Sequence, residues 1–202
     1  MATRIGKYKI SKRESEVSLR DGGVVDGNMT VNGTISATSA TGTAAGTGID
    51  AVSPSVNVYQ VGREIVTEVF IDIGAGSIQS STNAGDVIGE ADAANCSVTK
   101  ITTAVNGVVY GGEVICLEVP TTGDPDINVS ANDDGTIAED AGGEGEHVLA
   151  NSGTATLALK TDFTIPASGI QDAFIYLTHG GTTAGVYDAG KFLLRFFGAA
   201  TS

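Results

Sequence analysis

The clearest alternation of apolar and polar positions lies between Arg63 and Ile73. Ile65, Val69, Ile71 and Ile73 share one face at period two, while Glu64, Glu68 and Asp72 share the other with Val66 and Phe70. That pattern predicts a strand with one face buried and the other partly wet. A polar stretch from Gly74 to Gly85 reads as a loop, followed by the short apolar run Asp86–Ile88. Two β-rich runs, Cys96–Val105 and Val108–Val119, flank Asn106-Gly107, a dipeptide suited to a two-residue hairpin turn. Gly111-Gly112 in the second run suggests a bulge or bend, and Pro120 ends it. Ala155–Lys160 and Phe174–Thr178 are further expected strands, and Lys191–Phe197, almost wholly apolar, reads as a central or interface strand. No window carries a sustained helical stripe; Glu90–Asn95 fits one helical turn at most. The expectation is an all-β fold, an antiparallel β-sandwich or jelly-roll-like barrel.

The first 55 residues read differently. Residues 1–22 have no clean period in Ile5, Tyr8, Ile10, Val17 and Leu19, and Gly6 and several serines interrupt any helical face. An extended arm fits that segment. Met29–Val31 and Thr34–Ser36 flank Asn32-Gly33, a second hairpin signal. The Ser, Thr, Ala and Gly stretch from Ala37 to Gly48 offers little to bury and is expected to be a linker, flexible or ordered only by assembly. The expected division is an N-terminal arm and linker over 1–55 and a β domain over 56–202.

Charge sharpens this division. Arg4, Lys7, Lys9, Lys12, Arg13 and Arg20 are six of the eleven basic residues, and with Glu14 and Glu16 they give the first twenty positions +4. The formal net charge of −13 therefore leaves −17 on the rest. An acidic body repels phosphates and anionic lipid, so neither nucleic acid nor a membrane surface is an expected partner. The segment Arg4, Lys7, Tyr8, Lys9, Lys12, Arg13 and Arg20 reads either as a solvated tail or as a partner-binding arm for an acidic surface. Charged residues make up only 17% of the chain, and 28 Gly and 23 Thr stand in for charge and aromatics. The hydrophobic fraction of 41% argues against a fully disordered chain, and two Cys argue against a disulfide scaffold. No apolar run has the length of a membrane span, and the start lacks the apolar stretch of a secretion signal, so synthesis in a cytosol is expected.

Candidate chemistry is sparse. His147 and His179 are the two histidines, far apart and without further ligands at metal-site spacing, so both are expected at the surface or in structural roles. A Ser-His-Asp site has no Gly-x-Ser-x-Gly signature here. Cys96 and Cys116 fall on the two arms of the expected hairpin, one position from direct opposition, and read as two buried thiols or as a cross-strand disulfide. Asp124-Pro-Asp126, Asn132-Asp-Asp134, Glu139-Asp140 and Glu144–Glu146 form acidic loops, but the spacing of a calcium loop is missing, and solvated loops are expected. Gly142-Gly143-Glu-Gly145 lacks the context of a phosphate cradle, and a chain without Trp lacks ready sugar platforms. No catalytic residue, metal or cofactor is expected.

Three stretches carry a resemblance: Asn83–Cys96, Cys116–Asp126 and Thr183–Arg195. They resemble small structural proteins of tailed bacteriophages, particularly marine ones, over about Val56–Gly198. The run Gly27–Ser36 is similar to short segments of phage fibre and head proteins. The resemblance implies a non-enzymatic virion component, a head decoration or cement protein made in the host cytoplasm and placed on the outer capsid surface. Its implied partners are the major capsid protein and further copies of itself, with a trimer implied by analogy. A tail, fibre-base or neck protein is the alternative within that class; a hydrolase of host envelope polymers and a surface adhesin are alternatives of other classes.

Overall fold

The computed structural model describes residues 40–143 and 147–201. Thirteen strands run through them: β1 Ala40–Thr41, β2 Ser55–Val61, β3 Glu64–Asp72, β4 Ile78–Ser80, β5 Gly89–Glu90, β6 Thr99–Lys100, β7 Val108–Thr121, β8 Asp126–Asn132, β9 His147–Thr154, β10 Lys160–Asp162, β11 Phe174–His179, β12 Gly185–Val186 and β13 Ala189–Ala199. All the pairings are antiparallel. A six-stranded sheet has the order β1-β2-β3-β13-β7-β10, a four-stranded sheet β6-β11-β8-β9, and a three-stranded sheet β12-β4-β5.

The two larger sheets enclose one core, the arrangement of a β-sandwich. From the six-stranded sheet come Val69, Ile71, Val114, Phe192, Leu194 and Phe196; from the four-stranded sheet come Ile127, Val129, Leu149, Ile175 and Leu177. The alternation in β3 has the expected sense, with Ile65, Thr67, Val69 and Ile71 buried and Glu64 and Phe70 exposed. Strand β13 is central, paired with β3 on one side and β7 on the other, and every second residue from Gly190 to Gly198 is buried. The Gly-Gly bend is present as well: the ladder of β7 with β13 shifts by one residue at Tyr110, next to Gly111. Gly112 is required by packing, because a Cβ there would lie 2.4 Å from both Phe163 Cδ2 and the Arg195 carbonyl oxygen.

The hairpin expected at Asn106-Gly107 does not form. Thr103–Asn106 closes a single helical turn instead, and β7 pairs with β13 and β10. The reason lies in the Asn106 side chain, which is buried. Its Oδ1 accepts from the Thr102 backbone N–H at 2.7 Å, and its Nδ2 donates to Thr67 Oγ1 at 2.7 Å. The amide thus closes the local turn and ties it to β3, an option that Asn side chains hold open against a hairpin. Gly107, at φ 66°, redirects the chain into β7. The two cysteines consequently never face each other. Both are free and buried, Cys116 in the main core and Cys96 in a smaller cluster with Val87 and Tyr176.

Other departures are smaller. The strand expected over Ala155–Lys160 is divided, with β9 ending at Thr154 and β10 starting at Lys160. Glu90–Asn95 forms turns, with Asp92 and Asn95 at positive φ, and the Gly74–Gly85 loop contains β4. Part of the expected linker also lies against the β domain. Gly46 N–H donates to Ser97 O and Gly48 N–H to Asn95 O, and a Cβ on Gly46 would come within 1.9 Å of the Asn95 oxygen. Small residues bury little apolar surface beyond Ala45, which packs against the core, yet they let two backbones approach closely enough to pair. The Asn32-Gly33 hairpin, the arm residues Arg4, Lys7, Tyr8, Lys9, Lys12, Arg13 and Arg20, and Glu144–Glu146 lie outside the described residues.

Candidate functional site

His179 ends β11 and is fully buried; of the 81–86 loop that meets it, Ser81 and Asp86 are buried and Thr82, Asn83 and Ala84 are exposed. Its Nε2 stands 3.2 Å from the Ser81 backbone nitrogen and 3.2 Å from Ser81 Oγ, while Nδ1 stands 3.3 Å from Gly181 O. An N–H donating to Nε2 places the ring proton on Nδ1, which then donates to the Gly181 carbonyl. Ser81 Oγ donates to Asp86 Oδ2 at 2.8 Å. Serine, histidine and aspartate are therefore together, in an order opposite to that of a nucleophilic relay. Such a relay needs the hydroxyl proton aimed at the imidazole and the carboxylate on the far ring nitrogen. Here the hydroxyl proton goes to the carboxylate and the imidazole lone pair goes to a main-chain N–H. The geometry is that of a clamp between the 81–86 loop and the end of β11, completed by Gly85 N–H on His179 O at 2.7 Å.

A second clamp lies close by. Asp124, 2% exposed, accepts from the Asp126 N–H at 2.9 Å and the Thr183 N–H at 2.9 Å. Ser80 Oγ donates to Thr183 O at 2.8 Å and accepts from Asp124 N–H at 3.0 Å. Tyr187 OH donates to Asp124 O at 2.9 Å, and burial, the largest cause, raises its pKa well above the usual phenol value. Above these groups opens a polar cleft of about 420 Å³, bordered by Gln79, Thr82, Asp92, Glu139 and Val186. Glu139 accepts from Gln79 Nε2 at 3.0 Å and from the Asp92 N–H at 3.3 Å, so both of its oxygens are engaged. Among the described residues, no group of three or more His, Cys, Asp or Glu is placed to hold a metal ion.

His147 starts β9 and is partly buried, remote in sequence and strand from the His179 clamp. Cys96 donates to Ala93 O at 3.4 Å, and burial pushes its thiol up to about 11. Cys116 donates to Glu118 O at 3.3 Å and its pKa is raised for the same reason. Both are protonated at neutral pH and poorly nucleophilic.

The remaining feature is the outer face of the six-stranded sheet, away from the core. Its cross-strand rows alternate in character. Tyr59, Val66 and Phe197 form one apolar row, and Phe70, Leu193 and Ile115 form another. Between them runs Glu68–Arg195–Glu113, and beyond them runs Asp72–Lys191–Glu118. Arg195 reaches Glu68 at 2.9 Å and Glu113 at 3.3 Å; Lys191 lies 3.4 Å from Asp72 and pairs with Glu118. Each cation is shared by two carboxylates, leaving acid in excess. Tyr110, 59% exposed, and Leu117, 42% exposed, extend the apolar surface along β7. Sequence reasoning identified the wet face of β3 but not this surface, because its rows are completed by β13 and β7, far away in the chain.

Comparison with protein families, curated proteins and solved structures finds no match to this chain. Among the described residues, no helix is long and apolar enough to cross a membrane.

Proposed function

We propose that this chain is a non-enzymatic structural protein that works by docking against neighbouring protein subunits, in the manner of a phage head decoration or cement protein. The observation that carries the reading is the outer sheet face, where apolar rows are interleaved with charges paired across neighbouring strands. Pre-paired charges lower the desolvation penalty when another protein covers such a face. The clamps at His179 and Asp124 favour the same reading, since their polar groups are engaged by the main chain. The connectivity, which makes β3, β13 and β7 neighbours although they are far apart in sequence, favours a jelly-roll-like description over a meander. In this reading the basic residues Arg4–Arg20 form an extended arm that gains order on a partner, and the folded body sits on the capsid exterior, as a trimer around a local three-fold axis.

The experiment is a reconstruction of the virion that carries the chain, at a resolution that separates head from tail. Density for the β domain over the shell, in numbers comparable with the major capsid protein, is expected. Density confined to tail or neck would replace the cement role with the alternative one, and absence from the particle would overturn both.

A further inference from the structure

We propose that the outer face of the six-stranded sheet is the seat for the basic N-terminal segment, residues 4–20, of a second copy of this chain. The inference rests on the docking role above and deepens it by naming the acceptor surface and its occupant.

Charge selects the occupant. Glu64, Glu68, Asp72, Glu113, Glu118 and Asp162 outnumber Lys160, Lys191 and Arg195 on this face. A second copy laid face to face would set one acidic surplus against another, which is destabilising. The first twenty residues carry +4, and Ile5, Tyr8 and Ile10 are interspersed with Lys7 and Lys9. In an extended conformation Tyr8, Ile10 and Lys12 share one side, which can meet the apolar and carboxylate rows, while Lys7 and Lys9 on the other side add to the positive charge of the segment.

Reach permits the contact. The described chain begins at Ala40 in β1, the edge strand of this sheet, with 39 residues before it. Fully extended, 39 residues span up to about 130 Å, far more than the width of a domain of this size. A segment given by one copy and received by the next is a heterologous contact, which closes into a ring when the rotation between copies permits and otherwise runs on as a filament. Closure after three copies would yield the trimer.

The test uses two variants of the full chain, each with one added cysteine, Tyr8→Cys and Phe70→Cys, mixed under mild oxidation at low salt. The native Cys96 and Cys116 are buried and stay out of the exchange. A covalent pair joining a Tyr8→Cys copy to a Phe70→Cys copy is expected, several-fold enriched over pairing of Tyr8→Cys with Val186→Cys, an exposed position on the three-stranded sheet. Equal cross-linking to both positions would overturn the proposal. Sedimentation velocity supplies the second readout: Lys7→Glu with Lys9→Glu, changes outside the β domain, should shift the oligomer to monomer, and Glu64→Lys added to them should restore it in part. Unchanged sedimentation of the arm variant overturns the acceptor assignment. Failure of the docking role itself looks different: copies that exchange segments in solution yet are missing from the particle.

Discussion

The six-stranded sheet and the small sheet β12-β4-β5 are held by different physics. In the former, β3 and β13 pair in unbroken register from Glu64–Ala199 to Asp72–Lys191, and the inner face buries Val69, Ile71, Leu194 and Phe196. In the latter, the strands are two or three residues long, and buried polar side chains do the fixing: Ser80, Asp124, Tyr187 and His179. Apolar area tolerates exchange among similar side chains, whereas a buried polar anchor has partners that nothing else can satisfy. Changes in the large sheet should therefore scale with the volume removed. Changes in the small one should depend on which main-chain donor is orphaned.

Phe196→Ala opens a cavity at a fully buried site in tilted contact with Phe163, and should cost about 3–5 kcal/mol by denaturant titration. Phe196→Leu should recover most of that loss. Asp124→Ala comes next, because it strands the Asp126 and Thr183 N–H groups. About 1–3 kcal/mol for each orphaned donor is expected, with loss of amide protection confined to β12 and its flanks. His179→Ala should cost about 1–3 kcal/mol by leaving Ser81 N–H unpaired. A hydrophobic replacement of closer volume, His179→Leu, should not rescue it, which separates the polar anchor from simple filling.

Smaller effects sharpen the same contrast. The folded Cys96 thiol holds its proton more tightly than an unfolded one, with its pKa raised from 9.0 to about 11. Its contribution is intact below pH 9 and should be lost as pH rises toward 11, read from stability curves at stepped pH. At pH 8 only about 0.1% of such a thiol is ionised, so alkylation of the native protein should be slow and should accelerate on unfolding. Arg195→Ala on the outer face should change stability by less than about 1 kcal/mol, since its guanidinium pairs are partly solvated. Its effect belongs to assembly, where the Glu68–Arg195–Glu113 row would lose its cation and become more acidic.

Legibility in the sequence followed this division. Period two exposed β3, and the apolar run exposed β13 as a central strand, because each signal is contained in a single segment. The hairpin at Asn106-Gly107 misled because the side chain of Asn106 competes for the local backbone, and the partner it needs, Thr67, lies 39 positions away. Likewise, Ser81, Asp86 and His179 have no shared spacing, and only the pairing of the 81–86 loop with β11 brings them together. The outer face was legible strand by strand and illegible as a surface. Its alternating rows exist only once β3, β13 and β7 are set side by side.

Carbodiimide labelling of carboxylates, read by mass spectrometry on dissociated and assembled protein, tests the central claim most directly. Glu64, Glu68 and Glu113 should lose labelling on assembly, while Asp92 and Asp140, exposed at the polar cleft, should label equally in both states. Protection at the cleft with an unchanged outer face would contradict the account.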